Sequence, residues 1–247
     1  MPSGPSRGII YITVGQGYTQ QAMASAESVK AHSSGIKVYL FTDQPGIKSP
    51  YVDGIAMVEN PHSRSKIDYL HQTPFDRTLY LDADTRIVAD IDGLFDILDR
   101  FDLAVAHAHQ RNHFATQQPW RISIPDAFPQ MNGGVLLFKR SALTLKLLKD
   151  WQKAYHENAF CKDQVTLREL IWLSDLRIAI LPPEYNIRYE KYLDVWTGEE
   201  ARPYILHLAE YKEKGVHVKQ KELTLREKMR WRFQKIQWIW RQLKSLG

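Results

Sequence analysis

The sequence predicts an α/β domain with an open sheet whose ligand site lies at the carboxyl ends of the strands. Three observations carry that prediction. Short β-branched, apolar runs alternate with helix-forming stretches between Gly8 and His207. The first run, Gly8-Ile-Ile-Tyr-Ile-Thr-Val14, passes through Gly15-Gln-Gly17 into a helical stretch, as nucleotide-binding α/β domains begin. A later run, Leu79-Tyr80-Leu81, ends in two acids one residue apart, Asp82 and Asp84.

That acid pair is where the chemistry concentrates. In an extended chain residues i and i+2 project to the same side, so both carboxylates can aim at one point beyond the strand. Two buried like charges are costly unless a cation neutralises them. Hard divalent cations that hold phosphates take few carboxylates and leave positions open for substrate oxygens. A metal–diphosphate site is the functional reading. An Asp-x-Asp turn accepting local backbone amides is the structural alternative.

Taken in order, Tyr18 to Ala31 reads as the first helix; Tyr18 is placed either to stack on a base or to pack under its own helix. Ile36 to Thr42 is a second strand and Tyr51 to Val58 a short third. Ser65 to His71 is a short helix carrying Lys66, a residue type most often solvated. A return strand after that helix would bring Lys66 back toward Asp82 as a phosphate partner. Ile91 to Phe101 is an amphipathic helix and Leu103 to His107 a further strand.

From His107 to Phe128 the chain is polar and aperiodic, the pattern of a binding loop or lid. It holds His107, His109 and His113, but no cysteine or acid clusters with them, which argues against zinc. Asn132-Gly133-Gly134 stands directly before a buried strand, Val135 to Phe138. Glycines there let a ligand approach the backbone, or form a bulge; the asparagine amide both donates and accepts, as sugar hydroxyls require. Ala142 to Tyr155 is a helix, and Lys162 to Trp172 another, with Asp163 and Gln164 at its start. Asp163 there either caps free amides or faces a pocket. Ile178 to Leu181 and Tyr204 to His207 are the last strands. His207 alone reads as a packed core histidine; beside an Asp pair it supplies the imidazole of a mixed site suited to Mn²⁺.

The whole chain bounds these readings. Its 247 residues suffice for one large domain, and no apolar run approaches the ~18 residues of a membrane span. The start, Met1-Pro-Ser-Gly-Pro-Ser-Arg-Gly8, lacks an apolar signal core, and the single cysteine, Cys161, excludes an intrachain disulfide. These features predict a cytoplasmic protein. The net charge of +5 resides in the tail, where Arg226, Lys228, Arg230, Arg232, Lys235, Arg241 and Lys244 face one acid, Glu227. The rest is near neutral, so the body is not expected to bind nucleic acid.

With these residues laid out, the sequence resembles glycosyltransferases of the GT-A fold, and within them family 8, the glycogenin and bacterial lipooligosaccharide galactosyltransferase group. Six features stand in the family's order: the strand-borne Tyr80-Leu-Asp-Ala-Asp84, the preceding helix lysine Lys66, the strand entry Asn132-Gly-Gly-Val135, the pair Asp163-Gln164, the step Tyr185-Asn186, and His207 followed by Lys212. They span residues 8–214, which the resemblance makes one Rossmann-like domain with a mixed central sheet; residues 215–247 form a basic, Trp-rich helical tail.

The resemblance also implies roles. Asp82, Asp84 and His207 would hold Mn²⁺ or Mg²⁺ on the diphosphate of a UDP-sugar donor. Thr13 and Tyr18 would border the base, Lys66 and Lys212 would neutralise phosphate oxygens, and Ala83 and Gly133 would line the donor. Asn132, Asp163 and Gln164 would contact the transferred sugar and shape the reacting face. The family retains anomeric configuration, so an α-linked product on a glycan or lipid-linked acceptor is expected. Two departures stand out: His107 occupies a position where family members often carry an Asp, and His207-Leu-Ala-Glu-Tyr-Lys212 lacks the family's closing glycine, proline and tryptophan. They keep open a non-catalytic module that holds a nucleotide sugar or glycan without reacting it. A nucleotidyltransferase is disfavoured, because Val14-Gly-Gln-Gly17 carries no arginine or lysine.

The tail from Glu222 to Leu246 has helical periodicity. Met229, Phe233, Ile236, Trp240 and Leu243 form one stripe, while Trp231 and Trp238 fall on the opposite side. Basic residues with amphipathic tryptophans predict peripheral attachment to an anionic inner membrane face, with docking on the body or on a partner as alternatives.

Overall fold

The computed structural model describes residues 5–158 and 163–211 and, of the C-terminal stretch, Leu225, Met229, Arg232, Phe233, Ile236, Gln237, Ile239 and Trp240. Lys212, Leu243, Trp231 and Trp238 therefore lie outside the described residues.

The apolar runs form strands because their alternating side chains serve two different layers. In β1 (Arg7–Thr13), Ile9 and Tyr11 enter one core while Ile10 enters the other; in β4 (Arg77–Leu81), Leu79 and Leu81 part from Tyr80 in the same way. The first layer is completed by α1 (Gln16–His32) and a 3-10 segment, Asp92–Asp99. The second is completed by α2 (Lys66–Tyr69), and by α4 (Ala142–Glu157) and α5 (Gln164–Trp172), which carry the buried Trp151 and Ile171.

The central sheet has seven strands in the order β3-β2-β1-β4-β7-β6-β8, where β2 is Lys37–Thr42, β3 Gly54–Met57, β6 Leu103–His107, β7 Met131–Lys139 and β8 Ile178–Leu181. Only β7 runs against its neighbours: it is antiparallel to β4 and to β6, whereas β1 is parallel to β2 and β4. That reversal has a functional consequence. The carboxyl end of β4 meets the amino end of β7, with Leu81 opposite Val135 and Asp82 N–H donating to Gly134 O at 2.8 Å.

A small second sheet, absent from the sequence reading, joins β5 (Arg86–Ile87) to β9 (Ile205–Leu206) in antiparallel register. β9 falls within the predicted strand Tyr204 to His207, whereas the two residues of β5 carry too little hydrophobic pattern to be read locally. The pairing of Arg86 with Leu206 carries the chain's late histidine back to the acids.

Two expectations are corrected. Asn132, Gly133 and Gly134 lie inside β7 rather than before it; the register with β6 shifts between Val105 and His107, so the three bulge free of β6. Ile91 to Phe101 is not an α-helix but the 3-10 segment, which buries Leu94, Phe95 and Leu98 against the first layer. One short helical turn, α3 (Phe114–Gln117), lies inside the stretch read as a binding loop or lid. That loop is pinned: buried Glu169 accepts from Arg121 and Ile122 amides, and Arg168 donates to Ile124, Pro125 and Phe128 carbonyls. A last helix, α6 (Lys191–Val195), lies on the surface.

All eight described tail residues are helical and exposed, with Leu225, Met229, Phe233, Ile236, Ile239 and Trp240 between 40 and 76% accessible. Among the described residues no helix is long and apolar enough to cross a membrane.

Candidate active site

Asp82 and Asp84 follow β4 as the sequence implies, and the second sheet delivers His207 to them. His207 Nε2 lies 3.1 Å from Asp84 Oδ1 and 3.7 Å from Asp82 Oδ2. Ligand atoms of the three residues fall within 4.8 Å of one another, and Asp84 and His207 are buried. The other ring nitrogen, Nδ1, is 2.8 Å from Asn186 Oδ1. An amide oxygen can only accept, so Nδ1 carries hydrogen and Nε2 is turned toward the two carboxylates. Asn186 thus orients the imidazole, as outer-shell partners of metal-binding histidines do. It was noted in the sequence without a role, because nothing local links it to a residue 21 positions later.

Lys66 is not a solvated lysine. It is buried, and Nζ donates to Gly133 O at 2.8 Å and to Asp82 Oδ1 at 3.1 Å. Tyr80 O–H donates to the same Asp82 oxygen at 2.5 Å. Burial works against ionisation of Asp82, but the nearby Lys66 and His207 charges and the Tyr80 hydroxyl outweigh it and hold the carboxyl below its usual range. Tyr80 is pushed the other way, first by burial and then by Asp82.

Asp163 is not a helix cap. Its side chain makes no capping bond; it is buried and faces inward, with Oδ1 3.5 Å from Arg64 Nε and Oδ2 3.9 Å from Lys66 Nζ. Among the described residues, Oδ2 has no hydrogen-bond donor. Trp151 Nε1, from α4, fixes the start of α5 by donating to Asp163 O at 2.8 Å. Arg64 is the residue that sequence reasoning missed. Asp163 is the main cause holding its guanidinium above the usual range, and Asp82 adds to it. The run Arg64-Ser-Lys66 ahead of a short helix was the available signal.

Of the two glycines, Gly134 is the one the packing requires. A Cβ at Gly134 would collide with Asp82 Oδ2 and His207 Cε1, and one at Gly133 would stand 3.4 Å from Asp163 Oδ2 and 3.5 Å from Lys66 Nζ. The metal-type group therefore closes directly over the β7 backbone. Asn132 Oδ1 accepts Gly134 N–H at 2.8 Å, and Ala83 is buried between the acids.

Charge completes the description. Three carboxylates, Asp82, Asp84 and Asp163, meet two fixed cations, Lys66 and Arg64. Among them Asp82, Asp84 and His207 bring two carboxylates and an imidazole nitrogen to one point. A borderline-hard dication such as Mn²⁺ suits two carboxylates and an imidazole.

Thr13 lies at the end of β1, where its hydroxyl joins those of Thr19 and Thr42; Tyr18 is half-buried against the first core layer. Gln164 is the first residue of α5. Among the described residues His107, His109 and His113 form no metal-type group. His107 is half-buried at the end of β6 opposite Met131, and burial depresses its imidazole basicity, with Arg111 adding to the effect.

No protein-family model matches the chain, and no curated protein matches its sequence. Solved structures do match. The glycosyltransferase GlyE of Streptococcus pneumoniae TIGR4 superposes with a TM-score of 0.56 at 19% identity, over 95% of this chain and 62% of that one. The galactosyltransferase LgtC, solved with donor and acceptor sugar analogs, gives 0.57 at 15% identity, over 82% and 87%. The bifunctional glycosyltransferase WbbM gives 0.58 at 12% identity, over 84% and 46%. This chain thus spans less than two thirds of the length of GlyE and of WbbM. The architecture is that of the GT-A glycosyltransferase fold, with a carboxylate–histidine group at the end of its central strand.

Proposed function

We propose that the protein is a metal-dependent, retaining glycosyltransferase that moves a sugar from a UDP-sugar to a glycan or lipid-linked acceptor. One observation carries the reading: Asp82, Asp84 and His207 converge at the end of β4 over a glycine backbone. The GT-A likeness to sugar transferases supports the same reading.

In this reading Asp82, Asp84 and His207 hold Mn²⁺ or Mg²⁺. Such an ion supplies Lewis-acid stabilisation of the departing diphosphate. The chain's own residues do the rest. Lys66 presents a buried cation to the phosphate oxygens, where a low-dielectric setting strengthens its effect on developing negative charge. Lys212 has the same assignment and lies outside the described residues. Thr13, Tyr18 and Ala83 border the nucleotide. Asn132, Gly133, Asp163 and Gln164 face the transferred sugar, and the donor-less Asp163 Oδ2 accepts from a sugar hydroxyl. Arg64 and Lys66 hold the Asp163 charge, which makes it a poor nucleophile and favours front-face attack with retention.

Residues 8–214 are the catalytic domain and 215–247 an attachment helix on an anionic membrane surface. The exposure of the apolar tail residues beside Arg232 supports that assignment. A non-catalytic nucleotide-sugar module is the second reading, favoured by His107 standing where family members often carry an Asp and by the altered segment His207-Leu-Ala-Glu-Tyr-Lys212.

The test is nucleotide release from a panel of UDP-, GDP- and ADP-sugars with Mn²⁺ and no acceptor. Slow, metal-dependent release of UDP from one sugar is expected. Binding without release across an acceptor panel would select the non-catalytic module, and no binding would refute both. For the tail, truncation after residue 221 should abolish co-sedimentation with phosphatidylserine vesicles; undiminished binding would refute the attachment helix.

A further inference from the structure

Lys66 sits on a helix of four residues, too short to be stable by itself, so tertiary contacts must fix where its ammonium points. The outer side of that helix supplies one. Asp68 Oδ2 is paired with His62 Nε2, while Oδ1 accepts from His156 Nε2 at 2.6 Å and from Gln152 Nε2 at 3.1 Å. Gln152 and His156 are one turn apart on α4. Ser65 Oγ closes the turn before α2, accepting His62 N–H at 2.8 Å and donating to His62 O at 2.9 Å. The His62 ring also stacks on Tyr155 of α4, with centroids 6.2 Å apart.

Two imidazoles and a carboxylate also form a transition-metal donor set. Here the tautomer decides. Arg64 N–H donates to His62 Nδ1 at 3.2 Å, so the hydrogen of the neutral ring is on Nε2 and points at Asp68. A metal on Nε2 would need that hydrogen on the nitrogen already occupied by a donor. Asp68 is instead a carboxylate bracketed by three N–H donors. Burial raises its pKa, but His62, His156 and Gln152 outweigh that and lower it to about 2.

We propose that Asp68 is a positioning residue that locks the Arg64–Lys66 segment against α4 and so sets the Lys66 ammonium that faces the donor. The same pair of elements is tied again on the inner side, where Arg64 reaches Asp163 and Trp151 of α4 holds the Asp163 carbonyl. Asp68 touches neither donor nor metal ligands; it acts through Lys66. The inference rests on the donor-site reading above.

The test is steady-state donor hydrolysis by the full chain with Mn²⁺, using the UDP-sugar that wild type accepts. Asp68→Asn is expected to lower kcat/KM about tenfold, and His156→Ala by less. His156→Gln, which keeps an N–H donor, should stay within about twofold of wild type. In a Lys66→Ala background Asp68→Asn should cost nothing further, which a general loss of stability would not produce. Additive losses, or a lower Tm with unchanged kcat/KM, would overturn the proposal. So would saturable Zn²⁺ binding that His156→Ala abolishes. A wild type that neither binds nor hydrolyses any donor would overturn the donor reading, and this inference with it.

Discussion

Two histidine–carboxylate groups lie on either side of α2, alike in composition and opposite in electrostatics. At the strand end, His207 turns Nε2 toward Asp84 and Asp82, and its Nδ1 is held by Asn186. On the outer side, His62 turns a hydrogen-bearing Nε2 toward one carboxylate, because its Nδ1 is occupied by the Arg64 amide. The first group brings two carboxylates to one imidazole nitrogen; the second gives one carboxylate three N–H donors. The difference lies in what the far ring nitrogen touches, an amide oxygen in one case and an amide N–H in the other. A list of nearby histidines and acids does not distinguish a cation site from a hydrogen-bonded clamp; the second nitrogen does.

The comparison can be broken most severely at Asp84. Asp84→Asn should reduce Mn²⁺-dependent UDP affinity by about 100-fold, measured by titration calorimetry with and without metal, while Tm changes little. Retained metal-dependent affinity would remove the cation-site half of the contrast. Gly134→Ala comes next. Its methyl group collides with Asp82 and His207 together, and overpacking of this kind costs about 1–3 kcal/mol. UDP binding and Tm should fall together, whereas a neutral outcome would mean that the group does not close over β7.

Asn186→Ala sharpens the comparison. Without its acceptor the His207 ring loses orientation, and metal affinity should fall by about tenfold, with Asn186→Asp restoring much of it. The smallest effect belongs to the outer group and appears as pH dependence. Asp68 has a folded pKa of about 2, below the ordinary carboxylate value, so its contribution is present above pH ~4 and is lost as pH falls toward 2. The shift corresponds to about 2 kcal/mol at most, less after screening at its solvent edge. Urea unfolding of wild type against Asp68→Asn should show a gap at pH 7 that closes on acidification. A gap independent of pH would mean that the carboxylate charge is not what holds α2.

Much of the site was legible because it depends on local spacing. Asp82 and Asp84 share a direction through the strand period, and the glycines of β7 announced a close approach to the backbone. Lys66 and Asp163 were legible as residues but not as environments; surface lysine and helix cap were sound local readings, and burial overturned both. Arg64 gave little signal because an arginine ahead of a helix has many ordinary uses.

By itself, the sequence determined the alternation of strands and helices, the carboxyl-end location of the acids, and the separation of a near-neutral body from a basic tail. All three follow from the period and composition of contiguous residues. Tertiary structure alone decided that β7 runs backward, setting Gly134 beside Asp82, and that two-residue strands 119 positions apart join to return His207. It also decided what the far ring nitrogen of His62 and of His207 touches. These depend on which groups meet across long stretches of chain, and pairing of that kind leaves no periodic trace in the residues that make it.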